Sequence, residues 1–239
     1  MASKTISPPS HIARIPDRSI NAVLDEGPVV ISAKQMLYRA AWNVESIIPT
    51  MPVRFYRFGP PKEIVSSSRK LPYWWLYVAE KPLTAVCEAQ FLRSDATDPG
   101  HFRLDEFAIE HGLIARLSFP VSLRLLSLQG PITSRLGIYD LINSPDHEWC
   151  QWFGYQLHRL VFSKKKMKFD GVLYPSRKIR GASAIALSSR FLHSLTEPIK
   201  REFEFFHKTP TYRDLSVDKL RTGKQTAFEI ALKANQEHS

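Results

Sequence analysis

Between Val53 and Leu187 the chain alternates apolar runs of strand length with short helical ones. That alternation restricts the fold more than any single residue does, because strands separated by helices must share a sheet with helices packed on it. The strand-like runs are Val53-Arg54-Phe55-Tyr56-Arg57-Phe58, Tyr73-Trp74-Trp75-Leu76-Tyr77-Val78-Ala79, two pieces around Pro120 within residues 113–128, Gly171-Val172-Leu173-Tyr174, and residues 183–187. The spacing predicts a short helix over residues 83–92, entered through Pro82, and a longer one over 146–162. Trp149, Phe153, Leu157, Leu160 and Val161 share one side of the longer helix, and Ser144 is its expected cap. The cluster Lys164-Lys165-Lys166-Met167-Lys168 ends it, where cations suit the helix dipole. The reading is an α/β (α+β) core over residues 50–195. Upstream, residues 1–49 form an N-terminal extension with one helix expected over 32–48. Met36, Leu37, Ala40, Ala41, Val44 and Ile47 recur there at helical spacing, and Pro49 stops the run. Residues 196–239 read as a polar, partly helical C-terminal tail.

Composition removes whole classes. At 44% hydrophobic and 11% aromatic the 239-residue chain is too apolar for a disordered polymer. No stretch approaches the ~18–20 apolar residues of a transmembrane helix, and the N-terminus lacks the apolar core of a secretory signal. Cys87 and Cys150 belong to no CxxC pair, which favours a reducing, cytoplasmic setting over a disulfide framework or a cysteine-built metal site. The His residues are dispersed, so no metal is expected. His158 reads as packed or surface, and Cys87 as core filler. Nucleotide-binding glycine loops, HExxH and GxSxG are all absent. The net charge is +10, and eight basic residues face seven acidic ones after Thr196, so nearly all of the excess lies before it. Such an excess suits nucleic acid, a membrane surface or an anionic small substrate.

Three polar residues intrude on apolar elements. Arg57 ends an aromatic run before a Gly-Pro turn, as an anion site at a strand end would, or as a solvent-facing strand residue would. Glu88 sits in Ala85-Val86-Cys87-Glu88-Ala89-Gln90-Phe91, where a carboxylate is costly to bury unless paired and unremarkable if exposed. Ser176 follows a hydrophobic strand, either at a cleft or in a plain turn.

Their order, together with the segments around them, resembles the RES domain, a family named for an Arg, a Glu and a Ser. The segments are Phe55-Tyr56-Arg57-Phe58, Leu76-Tyr77-Val78-Ala79-Glu80, Ala85-Val86-Cys87-Glu88 and Asp170-Gly171-Val172-Leu173-Tyr174-Pro175-Ser176. Glu148-Trp149-Cys150-Gln151-Trp152-Phe153-Gly154 looks like the family's central helix. The resemblance covers roughly residues 50–190 and implies a single RES domain with a mixed central sheet similar to ADP-ribosyltransferase toxins. It further implies a toxin of a bacterial toxin–antitoxin system that cleaves the nicotinamide–ribose bond of NAD⁺, as a glycohydrolase or phosphorylase. The alternatives are ADP-ribosyl transfer to a protein and a non-catalytic module that binds an anion or nucleic acid. The implied catalytic residues are Arg57, Glu88 and Ser176, with Tyr77, Phe58 and Arg69 binding substrate. Glu88 would stabilise an oxocarbenium-like state, Arg57 would hold the pyrophosphate or the nicotinamide mononucleotide half, Tyr77 would stack on nicotinamide, and Ser176 would position nicotinamide or a phosphate. The implied partner is an Xre-like helix-turn-helix antitoxin. A homodimer is compatible with the reading, and neither a membrane nor direct nucleic-acid binding is expected. One departure is visible: the family's Gly-Arg-Trp-Asn-like loop is replaced by Ser66-Ser67-Ser68-Arg69-Lys70-Leu71-Pro72, with Arg69 the candidate for its Arg.

Overall fold

Alternating side chains on one strand organise the molecule. A computed structural model describes residues 6–50, 52, 56–65, 70–162, 168–223, 226 and 228–230. In chain order the elements are α1 (Asp17–Leu24), β1 (Val29–Ile31), β2 (Met36–Ala41), β3 (Trp75–Ala79), α2 (Pro82–Glu88), β4 (Leu92–Ser94), β5 (Phe102–Leu104), α3 (Glu106–His111), β6 (Leu113–Ser118) and β7 (Leu123–Ser127). These are followed by α4 (Pro131–Arg135), α5 (Tyr139–Asn143), α6 (His147–Leu157), β8 (Gly171–Pro175), β9 (Ser183–Ser188), α7 (Ser189–Ser194), β10 (Lys200–Phe205) and α8 (Pro210–Ser216). In β3, Trp75 and Tyr77 face the aromatic core built around α6. Leu76 and Val78 face a second core with Leu37, Leu117 and Phe191. A strand buried on both faces in this way reads as a continuous apolar run, as this one does.

The sheet has eight strands in the order β1-β7-β8-β9-β3-β2-β6-β10. Its pairs are antiparallel except β7 with β8. The parallel pair is clamped by Asp170, a buried carboxylate just before β8. It accepts the Arg124 backbone N–H at 2.7 Å and a guanidinium N–H at 3.0 Å. The Asp of the Asp170-Gly171 segment is thus a joint between two strands.

Several expectations are corrected or completed here. Residues 32–48 hold no helix; β2 runs through them, paired with β6 from Met36↔Ser118 to Ala41↔Leu113. The one N-terminal helix is α1, where Ile20 and Val23 are buried, and Asp17 bonds Gln156 (2.7 Å) and Arg159 (2.5 Å). The polar tail contributes an edge strand, β10, paired with β6 through six residues from Lys200↔Ser118 to Phe205↔Leu113. Its alternating charged and aromatic residues suit an exposed edge, where charge discourages further pairing. The long helix is α6, capped by Asp146 rather than Ser144 and continued by a π-turn over His158–Phe162. Of the strand expected at 53–58, residues 53–55 lie outside the described residues, while Arg57 and Phe58 form a turn. The lysine cluster at 164–167 also lies outside them. Among the described residues no helix is long and apolar enough to cross a membrane.

Candidate active site

The turn at Arg57 and Phe58 is held from three sides. The Phe58 carbonyl accepts the Trp75 indole N–H at 2.6 Å, and its N–H donates to the Tyr77 hydroxyl at 2.9 Å. From below, Gly154 of α6 presses directly on it: a Cβ there would stand 2.4 Å from the Phe58 carbonyl oxygen. Only glycine allows that approach. The Phe58 ring is fully buried, edge-on to Tyr174 with centroids 5.1 Å apart. It belongs to the scaffold under the site, and only its neighbours Tyr56 and Arg57 reach the cavity above.

That cavity encloses about 310 Å³. Its walls come from β2, β3, the C-terminal end of α2 and the turn after β8. Arg39, Arg57, Arg93, Arg177 and Lys178 line it, against Glu88 as the one carboxylate among the described lining residues. Arg93 is neutralised by Asp105 at 2.9 Å. That leaves Arg39, Arg57, Arg177 and Lys178 against the single carboxylate of Glu88, an arrangement that attracts anions.

Arg57 is the extreme case. Its side chain is 6% exposed, and none of its three nitrogens has a hydrogen-bond partner among the described residues. The Cys150 thiol lies within hydrogen-bonding reach of it, but a thiol is at most a weak acceptor and no oxygen acceptor meets the guanidinium among the described residues. Buried polar groups are nearly always satisfied, so five N–H donors without an acceptor mark a place for an anionic ligand.

Glu88, the last residue of α2, is fixed by Ser176. The Ser176 hydroxyl donates to Glu88 Oε1 at 2.6 Å and itself accepts the backbone N–H groups of Lys178 and Ile179, both at 3.2 Å. The bond orients one carboxylate oxygen and leaves the other for the cavity. Ser176 is buried and does not line the cavity, so it acts through Glu88 rather than on a ligand. Tyr77 faces the cavity beside Tyr56, ring centroids 5.6 Å apart, and burial raises its phenol above the ordinary range. Arg69 lies outside the described residues.

Several cavity residues were not singled out from sequence, Arg177 and Arg39 foremost among them. Arg177 donates to the Ser144 carbonyl at 3.0 Å and to His147 Nε2 at 3.1 Å. His147 therefore accepts through Nε2 and carries its proton on Nδ1. Burial, then the positive charges of Arg177 and Arg57, lower its pKa and keep it neutral. Arg39 enters from β2, bonded to the Ser46 and Tyr77 carbonyls at 3.0 and 2.7 Å. A charged residue within the apolar Leu37-Tyr38-Arg39-Ala40-Ala41 was the signal for it, hidden by the helical reading of that segment. Arg177 directly follows Ser176 and was visible there. Among the described residues no three His, Cys, Asp or Glu side chains gather as a metal site.

The sequence profile of the RES domain matches residues 57–206, well over half of the chain, and begins on Arg57 itself. The chain belongs to the RES domain family. RES domains form a toxin-like class of NAD-acting modules, and here Arg57, Glu88 and Ser176 come from three separated segments to one site. No curated protein matches the sequence. The matched RES segment starts after β2, so Arg39 lies outside it and yet lines the same cavity.

Proposed function

We propose that the cavity binds NAD⁺ and cleaves its nicotinamide–ribose bond, and that the chain is the toxin of a toxin–antitoxin pair, neutralised by an Xre-like helix-turn-helix protein. The observation that carries this reading is Arg57: a buried guanidinium that meets no oxygen acceptor among the described residues, in a cavity it shares with a carboxylate locked in place by a serine. A pyrophosphate oxygen is the acceptor such a group lacks, and an Arg holds it through two parallel bonds.

The chemistry follows from the remaining residues. As the bond to the nicotinamide nitrogen breaks, its electron pair leaves with nicotinamide, and positive charge spreads over the ribose C1 and ring oxygen. The free oxygen of Glu88 stabilises that charge where it develops. Tyr77 and Tyr56 supply aromatic faces for the nicotinamide ring. Water then adds at C1 and gives up a proton, so the products are ADP-ribose, nicotinamide and H⁺. The cation surplus around Arg177 and Lys178 supports inorganic phosphate as a second acceptor to test, in which case ADP-ribose 1-phosphate replaces ADP-ribose.

The test is nicotinamide release from NAD⁺ by the purified protein, with and without phosphate, beside Glu88→Gln. Release in the parent should fall by roughly 100-fold or more in the variant, as when one charge-stabilising group is lost. In bacteria, expression of the parent should arrest growth and deplete NAD⁺, and the variant should do neither. No release under either condition, with salt-sensitive nucleic-acid binding in its place, would favour the non-catalytic module.

A further inference from the structure

The cavity opens sideways into a second depression. A groove of about 1190 Å³ shares Arg39, Arg93 and Trp42 with it, and Phe107, Phe203 and Phe205 form much of the groove's apolar wall. Phe107 is 55% exposed, Phe203 45% and Phe205 44%. Exposed aromatics gathered in one place mark a binding surface rather than a folding need. Trp42 and Phe107 lie with ring centroids 5.8 Å apart and planes 35° from parallel, open toward the groove.

The positive charge sits at the junction, in Arg39 and Arg93, while Glu45 and Asp105 are the carboxylates of the groove lining. Arg93 is tied to Asp105, but Arg39 has no carboxylate partner among the described residues. Its two bonds to carbonyls use Nε and Nη1 and leave Nη2 unengaged by them. Arg57 lines the cavity alone, whereas Arg39 lines both cavity and groove. The site therefore has two cationic points, with an aromatic surface beyond the second. A cavity of about 310 Å³ is at the small end of ligand sites, which run ~300–1,000 Å³, and suits half a dinucleotide better than a whole one.

Resting on the reading of the cavity as an NAD⁺ site, we propose that the groove holds the adenosine half of the dinucleotide. Adenine packs against Trp42 and Phe107, and the adenosine-side phosphate crosses at Arg39. Anion, then aromatic slot, is the order of groups along that half of the ligand. The assignment makes β2 and α3 responsible for choosing a dinucleotide over a mononucleotide.

Phe107→Ala tests it, because a half-exposed side chain can be removed with little effect on folding. Losing a stacking ring should raise KM for NAD⁺ by about five-fold or more, with kcat unchanged. KM for nicotinamide mononucleotide, which has no adenosine, should stay where it is in the parent. In parallel, calorimetry with ADP reads the groove without any cleavage, and the variant should bind ADP more weakly by a similar factor. An unchanged KM for NAD⁺ overturns the proposal, as does an equal rise for both substrates or a parent protein that does not bind ADP. If ADP binds in a Phe107-dependent way but no nicotinamide is ever released, the groove assignment stands and the cleavage reading falls.

Discussion

Arg57→Met should make the ligand-free protein more stable while abolishing its ability to bind substrate. The residue is 6% exposed and its nitrogens meet no oxygen acceptor among the described residues, so the folded state bears a desolvation cost that a thioether would not. Each buried donor left without an acceptor costs roughly 1–3 kcal/mol. Against that stands a cation–π contact with Phe58 at 6.0 Å, worth about 0.5–1 kcal/mol. Replacing a buried charge with a well-packed apolar group commonly stabilises by about 1–4 kcal/mol, and a net gain of about 2 kcal/mol is expected here. For a chain of this size that raises Tm by roughly 4–8 °C. The assay is thermal unfolding, ligand-free and then with NAD⁺ in the Glu88→Gln background, where substrate survives. At 100 times its Kd, NAD⁺ should add about 2.7 kcal/mol to the parent and nothing to the Arg57→Met protein. A ligand-free variant that melts several degrees below the parent would show that Arg57 is a structural strut with a partner. Full stabilisation by NAD⁺ in the variant would refute its role as the anion-binding group.

Other perturbations follow from the same geometry. Ser176→Ala removes the hydroxyl that orients Glu88 and strands the Lys178 and Ile179 N–H groups, so stability should drop by about 1–3 kcal/mol in urea and kcat should fall, with Ser176→Thr restoring both. Gly154→Ala pushes a methyl against the Phe58 carbonyl, and it should cost about 1–3 kcal/mol in urea unfolding and weaken NAD⁺ binding as the Arg57 turn shifts. The His158 ring stacks on Tyr73 at 4.1 Å, and burial lowers its pKa from 6.5 to about 4. The unfolded chain takes up a proton near pH 6.5 that the folded chain refuses until about pH 4, so stability should decline as pH falls through that window. His158→Phe should flatten the decline, and an unchanged slope in urea midpoints against pH would rule the residue out as its source.

Much of the site was legible because its parts are local. The apolar run ending at Ala79, Pro82 at a helix start, and the strand before Ser176 each announce themselves within a few residues. The N-terminal segment was not legible for a physical reason. Leu37, Ala40 and Ala41 are all buried, and their spacing mimics a helix face, but Leu37 and Ala41 belong to one core and Ala40 to another. Pairing with β6 on one side and β3 on the other decided the outcome, overriding alanine's local preference. That misreading also concealed Arg39. The role of Ser176 was hidden because its partner, Glu88, is distant in sequence. The scaffold role of Phe58 was hidden because only assembly with α6 shows that its ring is enclosed.

The contact between Gly154 and the Arg57 turn has a consequence in time. Chains emerge from the ribosome N-terminus first and their domains close as units. Arg57, Tyr77 and Glu88 are all made early, but the helix that seats the arginine and the serine that aims the carboxylate come from the later half of the chain. A nascent chain carrying every cavity-lining member of that trio therefore still lacks the finished site. The site is complete only when β8 and β9 stand between β7 and β3 with α6 against them. On the proposed reading as a toxin, this order of assembly leaves the interval of synthesis free of activity and gives the proposed neutralising partner a finished surface to meet.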